Sequence, residues 1–296
     1  MGVWGKKIDL SGKGRVETVC SHPGLLEKKE GELIIHITET IREPLVLTHT
    51  GEDSFVKTRI ITEPNTEAVI IEHLTGSIVH KVTAGLAENS AVAYVAVQSG
   101  TYKGKKRAVL ERDARMTWFE LNTGTVISRT ITELNEGSTV RSNSIFLGAE
   151  GDHIDFGTKA IHLEPYTSSQ LFTKGVLRGA KAIYDGVLDI KRSAQHSTAH
   201  QKEDCLLLDE KAEIKAAPQL FIDNNDVKCS HAVSTTKPDE ALAFYLQSRG
   251  VSKEVTDAML VKAFVWPVIE ALPKNLACWV EKYVEEALEK FGEGHE

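Results

Sequence analysis

A weak internal repeat constrains this chain more than any other feature. Seven turn-like tripeptides, PNT, ENS, ERD, EGS, PYT, KRS and EKA, each precede a strand-like run. Their third residues are Thr66, Ser90, Asp113, Ser138, Thr167, Ser193 and Ala212, spaced by 24, 23, 25, 29, 26 and 19 residues. A period near 24 is the signature of stacked supersecondary units, each too small to bury its apolar face alone. The runs, such as Ala91–Gln98, Gly124–Ile131 and Asp226–Val233, are dense in Val, Ile and Thr and keep no helical period. Strands without helices inside the units predict a β-solenoid over roughly residues 30–234. The alternative is a β-sandwich whose turns recur at every second strand.

From Thr236 the pattern becomes helical. Lys237-Pro238-Asp239 places a proline in a first helical turn, and Arg249-Gly250 ends that helix. Ser252 caps a second helix running to about Leu272, with Pro267 inside it as a kink site. Pro273 opens a third, in which Leu276, Val280, Val284 and Leu288 step by four along one face. The expected organisation is a mainly β core with a short N-terminal lead-in over residues 1–234, and a helical domain over 235–296 that caps the solenoid end.

Charge and cysteine usage narrow the function. Lys+Arg number 35 against Asp+Glu 42, a formal charge of -7, which argues against a nucleic-acid partner. Four cysteines, Cys20, Cys205, Cys229 and Cys278, form no CxxC pair and read as free thiols in a reducing cytoplasm. The N-terminal MGVWGKKIDLSGKG has no apolar signal region. The apolar stretch AMLVKAFVWPVIEAL is too short to span a bilayer and holds Lys262 and Glu270, so no membrane partner is expected.

Few motifs carry chemistry. Gly100-Thr101-Tyr102-Lys103-Gly104-Lys105 is one residue short of a phosphate loop, with Lys106 where Ser or Thr is needed, and reads as a hairpin turn. GxSxG, HExxH and GxGxxG are absent, so nothing marks a hydrolase or an oxidoreductase. His196, His200 and Cys205 have the residue types of a soft-metal site, but the spacing equally fits surface polarity plus one core thiol. In an extended strand Val227, Cys229, His231 and Val233 share a face, opposite Lys228, Ser230, Ala232 and Ser234. A thiol and an imidazole side by side can hold iron or accept sulfur. A buried cysteine beside a core histidine gives the same pattern. Cys278, next to Trp279, is expected to pack in a core.

The ordered series Pro218-Gln219-Leu220, Asp226-Val227-Lys228-Cys229-Ser230-His231 and Phe244-Tyr245-Leu246-Gln247-Ser248-Arg249-Gly250 resembles the SufB/SufD family, the β-helix subunits of the SUF iron–sulfur cluster assembly machinery. Cys205-Leu206-Leu207-Leu208-Asp209 and Thr158-Lys159-Ala160-Ile161-His162-Leu163 are similar to family signatures too, and the likeness is strongest from about Gly124 to Leu272. The resemblance implies a right-handed parallel β-helix followed by a helical domain, and a non-enzymatic role in the cytoplasm. It implies pairing through the end of the β-helix, as a homodimer or as a heterodimer with a related SufB/SufD chain. The helical domain would bind a soluble SufC-like ABC-type ATPase, whose ATP-driven closure rearranges the pair and exposes the assembly site. The cofactor would be a transient iron–sulfur cluster, with none held tightly after aerobic purification. Cys229 and His231 match the family's CSH motif near the pairing interface.

Two departures from the family pattern bear on the site. SufB-type chains carry a cysteine in a QCDxLL pattern. Here Glu203 takes that place and the thiol, Cys205, lies two residues on, on the same strand face. SufB-type chains also tend to carry Glu where His231 stands, so both features lean toward a SufD-like chain. The usual N-terminal helical extension has no evident counterpart, as in compact members. Two rival readings follow from the solenoid itself: a polysaccharide-active enzyme, which needs clustered carboxylates along one face, and a purely structural docking subunit without metal.

Overall fold

The computed structural model describes residues 6–9, 17–20, 26–29 and 31–293. Four short strands lead in: β1 (Lys6–Asp9), β2 (Glu17–Cys20), β3 (Leu26–Lys29) and β4 (Glu32–Ile37). Four long strands follow: β5 (Leu45–Thr62), β6 (Glu67–Leu86), β7 (Ala91–Leu110) and β8 (Arg115–Leu134). Then come β9 (Thr139–Gly148), β10 (His153–His162), β11 (Ser168–Leu177), β12 (Lys181–Ile190), β13 (Thr198–Leu207), β14 (Glu213–Ala216), β15 (Gln219–Ile222) and β16 (Lys228–Thr236). From β4 onward neighbouring coils pair in parallel, as Glu67↔Ala91↔Arg115↔Thr139 shows. The fold is a parallel β-solenoid of about six turns.

Each coil has two walls. The first wall runs β5-β6-β7-β8-β9-β11-β13-β16, and the second runs from β4 through the later halves of β5–β8 to β10, β12 and the pair β14/β15. The long strands serve both walls by bending at Gly76, Gly100 and Gly124, whose φ angles are 106°, 103° and 94°. A Cβ on these residues would lie 2.2–2.6 Å from the glycine carbonyl oxygen, or its bend equivalent, of the preceding coil, so only glycine lets the bends stack. The segment around Gly100–Lys105 is therefore a strand with a bend rather than the expected hairpin turn.

The opposite corner explains the sequence repeat. Asn65, Asn89, Asp113, Gly137, Tyr166 and His196 adopt positive φ, and the next residue turns into the interior. Thr66, Ser90 and Ser138 each close the corner with a hydroxyl bond to the carbonyl three residues back, at 2.7, 2.7 and 2.6 Å. The structural column is Thr66, Ser90, Ala114, Ser138, Thr167 and Ser197. Asp113 and Ser193 lie one and four residues from it, and Ala212 immediately precedes β14 of the second wall.

The tail forms α1 (Glu240–Ser248), α2 (Lys253–Glu270) and α3 (Lys274–Glu293). Asp239 and Ser252 accept from the backbone N–H groups of Leu242 and Val255 as N-caps, and Gly250 follows α1 at φ 90°. Pro267 lies inside α2, which continues through it to Glu270. The helices do not cap the solenoid end as expected. Val261, Val265, Val268, Leu276, Val280 and Val284 pack on the outer side of the first wall, against Ile71, Val95, Phe119, Ile145, Leu147 and Val176. That outer face is apolar, and covering it removes it from water. Cys278 lies off this packed stripe and is exposed rather than in a core.

Candidate functional site at the last coil

Side chains of alternate residues fill the space between the walls, and this interior changes character along the solenoid. In the early coils the buried carboxylates are partnered, while the buried amides of Gln98 and Asn122 have no hydrogen-bond partner among the described residues. Glu72 accepts hydrogen bonds from Thr58 at 3.0 Å and from Tyr94, and lies 3.0 Å from His80. Lys106 donates to Glu120 at 2.8 Å and to Ser128 at 3.1 Å, and Thr130 and Ser128 donate to the same carboxylate. Burial works against the Lys106 charge, but the Glu120 carboxylate more than offsets it and raises the lysine pKa.

The last coils place the sequence candidates in one register. Strands β13 and β16 pair as Ala199↔Cys229, Gln201↔His231, Glu203↔Val233 and Cys205↔Thr235. Period two puts all four candidates, Cys229, His231, Cys205 and Glu203, on the inner face of the first wall. Cys229 is partly buried and packs with Val227 against the interior cluster, while His231 is exposed. β16 is the last strand of the wall: it pairs with β13 and, among the described residues, with no strand on its other edge.

Beneath β16 the polar groups are unmatched. Neither carboxyl oxygen of Glu203 nor either amide atom of Gln201 has a hydrogen-bond partner among the described residues. Burial, with the nearby Asp204 and Asp185 carboxylates, pushes the Glu203 carboxyl up to about 8, so at neutral pH it is mostly protonated. Burial and the Glu203 charge push the Cys205 thiol up to about 12, and it packs among Phe146, Phe156 and Tyr184. Burial also raises the Cys229 thiol. On the outer side, burial opposes the Asp204 charge, but Ser234, Lys174 and Lys202 more than offset it and lower its pKa. The 2.6 Å bond from Ser234 to Asp204 ties β16 to β13.

The soft-metal pattern of His196, His200 and Cys205 is dispersed by the fold. His196 sits at a corner, 2.8 Å from Asp226 and stacked on Tyr166. His200 points outward to Ser230 at 2.8 Å, and Cys205 points inward. Among the described residues no three His, Cys, Asp or Glu side chains gather as a metal site. The inner-face candidates thus share a wall, on two adjacent coils, and among the described residues form no closed cage. Gly186 was not singled out in the sequence, yet a Cβ there would meet Gln201 Nε2 at 1.7 Å, so this glycine makes room for the unmatched amide. A lone glycine in a strand is the only signal that could have marked it.

This geometry can be set beside known proteins. The family model for the SUF system FeS cluster assembly SufBD core domain matches residues 45–264, which holds most of the solenoid together with α1 and most of α2. The chain belongs to the SufB/SufD family. Relatives of this SufB/SufD-family chain include the iron–sulfur cluster assembly protein SufB of Bacillus subtilis, 31% identical over 188 residues, covering 62% of this chain and 40% of SufB. The SufD protein of the same organism is 29% identical over 265 residues, covering 81% of this chain and 60% of SufD. A SufBD family protein of Mycobacterium tuberculosis is 31% identical over 188 residues, 62% of this chain and 22% of that protein. The chain therefore matches less than two thirds of the length of these relatives. No helix among the described residues is long and apolar enough to cross a membrane.

Proposed function

We propose that this chain is a non-enzymatic subunit of a cytoplasmic iron–sulfur cluster assembly complex, and that its last coil supplies part of the site where a cluster is built and released. The observation that carries this reading is the position of Cys229 and His231 on the inner face of β16, a strand with one side unpaired among the described residues. A second related chain, a copy or a SufB/SufD relative, abuts this end and completes the ligand set. An unpaired edge favours such pairing. The cluster is cargo, so a site split across two chains suits it: it forms when the chains approach and dissolves when they part. The raised thiol pKa of Cys229 fits the same scheme, because the thiolate becomes abundant only when a cation or iron joins the site. Cys205 and Glu203 lie one strand deeper and are reached when β16 moves.

The partner that drives such movement is a SufC-like ABC-type ATPase bound to the helical tail. α1 buries none of its residues, and Leu242, Phe244 and Tyr245 are exposed by 44%, 74% and 53%. Val255 and Met259 on α2 extend this apolar surface. Phe264 and Trp266 are partly buried against the apolar cluster between the helices and the first wall. α1 follows β16 directly, so force on α1 acts on the strand that bears Cys229 and His231. The test is anaerobic co-expression with the ATPase and a related chain, assaying iron, sulfide and cluster absorbance. Loss of assembly in Cys229→Ser with the complex intact supports the reading. A truncation ending at Ser234 that folds and still captures the ATPase contradicts the docking assignment.

A further inference from the structure

The two outer faces of the solenoid differ. The first is apolar and covered by α2 and α3, while the second carries cations and no helix. On the second face two rows run along the solenoid axis. One is Phe55, Val79, Lys103 and Ile127, in register on β5, β6, β7 and β8. Two residues further along each strand lies the other: Lys57, Lys81, Lys105 and Arg129. Like charges directly opposite on neighbouring strands repel. The ends of the basic row are neutralised, Lys57 by Glu32 at 3.2 Å and Arg129 by Asp155 at 2.6 Å. Lys81, Lys103 and Lys105 are ion-paired with nothing among the described residues. Beside them Phe55, Val79 and Ile127 are 51%, 44% and 40% exposed, and together these residues floor a concave surface.

We propose that this face docks an acidic amphipathic helix of a partner protein. Charge complementarity selects an acidic occupant: three uncompensated lysines gather on a chain whose formal charge is -7, so the rest of the surface repels what this face attracts. The adjoining apolar row selects an occupant with an apolar stripe beside its acidic one. The spacing selects a helix. Rungs of the solenoid repeat every ~4.8 Å, near the ~5.4 Å helical pitch, whereas same-face side chains of an extended strand recur at about 6.8 Å. The two rows lie on β5–β8 of the second wall, whereas Cys229 and His231 lie on β16 of the first, so the proposal is independent of the cluster chemistry. It also gives the GTYKGK segment a role, since its Lys103 and Lys105 supply two of the three free cations.

The test uses the full chain and a fluorescein-labelled helical peptide of about 14 residues, enough to span four rungs, with a Glu stripe beside a Leu stripe. Fluorescence anisotropy should show binding that weakens with salt. Affinity should fall at least tenfold in K81E/K105E and severalfold for a peptide with Leu replaced by Ser. A Lys211→Glu control, on a remote exposed lysine, should bind as the unaltered chain does. Circular dichroism checks the fold of each variant. Should K81E/K105E lose its fold, K81Q/K105Q serves in its place. Equal binding to the unaltered and substituted face overturns the proposal. Equal binding of the Leu and Ser peptides overturns it too, as does preferential binding of a single-stranded oligonucleotide.

Discussion

The early and late coils use one interior column in opposite ways. In register along the first wall run Glu72, Ala96, Glu120, Ser144, Thr173 and Glu203. Glu72 and Glu120 are buried carboxylates met from the facing wall by hydroxyls, His80 and Lys106. Glu203 is just as shielded from solvent and has no hydrogen-bond partner among the described residues. A buried charge that is paired and hydrogen-bonded belongs to the structure, whereas a buried acid without partners is a standing cost. The difference sets the partnered carboxylates of the early coils apart from the unpartnered Glu203 of the late ones.

Breaking the early coils should have the largest destabilising effect. Lys106→Ala leaves Glu120 buried beside an uncompensated gap and should lower stability by about 3–5 kcal/mol, seen as a fall in the denaturant midpoint. Replacing Lys106 and Glu120 together by Met and Leu should recover most of that loss. Recovery of none of it would show that the pair is not the source.

The late coil should respond in the opposite direction. The folded Glu203 carboxyl sits at about 8, above its ordinary value of 4.5, so folding favours its protonated form. The stability tied to that proton is complete below about pH 4.5 and is lost as pH rises through 8. Glu203→Gln keeps the shape without the titration. Relative to low pH, it should stabilise the chain by about 4–5 kcal/mol near pH 8, at 1.36 kcal/mol per pH unit, with less than about 1 kcal/mol of that gain present at pH 5. A gain independent of pH would contradict the burial of an ionisable acid there. The smallest signal is thiol reactivity. At neutral pH iodoacetamide should label exposed Cys278 first, Cys229 slowly and Cys205 last, as read by mass spectrometry.

Much of this was legible in the sequence, for identifiable reasons. The corner hydroxyls at Thr66, Ser90, Ser138 and Thr167 help close the turns, so they mark the period directly. The count slips at Asp113 because Ala114 fills the corner position without a hydroxyl. It slips again at Ser193, where the connection between β12 and β13 lengthens and the left-handed residue moves to His196. The strand parity that placed Cys229 and His231 on one face holds, as does the even shift linking Cys205 to Glu203. The position of the helices was less visible. Runs such as AVAYVAVQ are apolar at both parities, which marks a strand buried on both sides. Read that way, they announce the outer cover formed by α2 and α3. The unmatched state of Gln201 and Glu203 depends on what stands across the lumen, including Gly186, and no local pattern encodes that.

The central claim is that the last coil, not the interior network, carries the cluster chemistry. Its most direct test is anaerobic cluster assembly on the complex of this chain with its ATPase and a related chain, comparing Cys229→Ser, Cys205→Ser and Cys278→Ser by iron and sulfide content and visible absorbance. The account predicts that Cys229→Ser keeps the fold and the complex but loses most of the cluster, that His231→Ala loses less, and that Cys278→Ser loses none. Loss in Cys205→Ser alone would move the thiol one strand deeper. Normal assembly in both Cys229→Ser and Cys205→Ser would contradict the account.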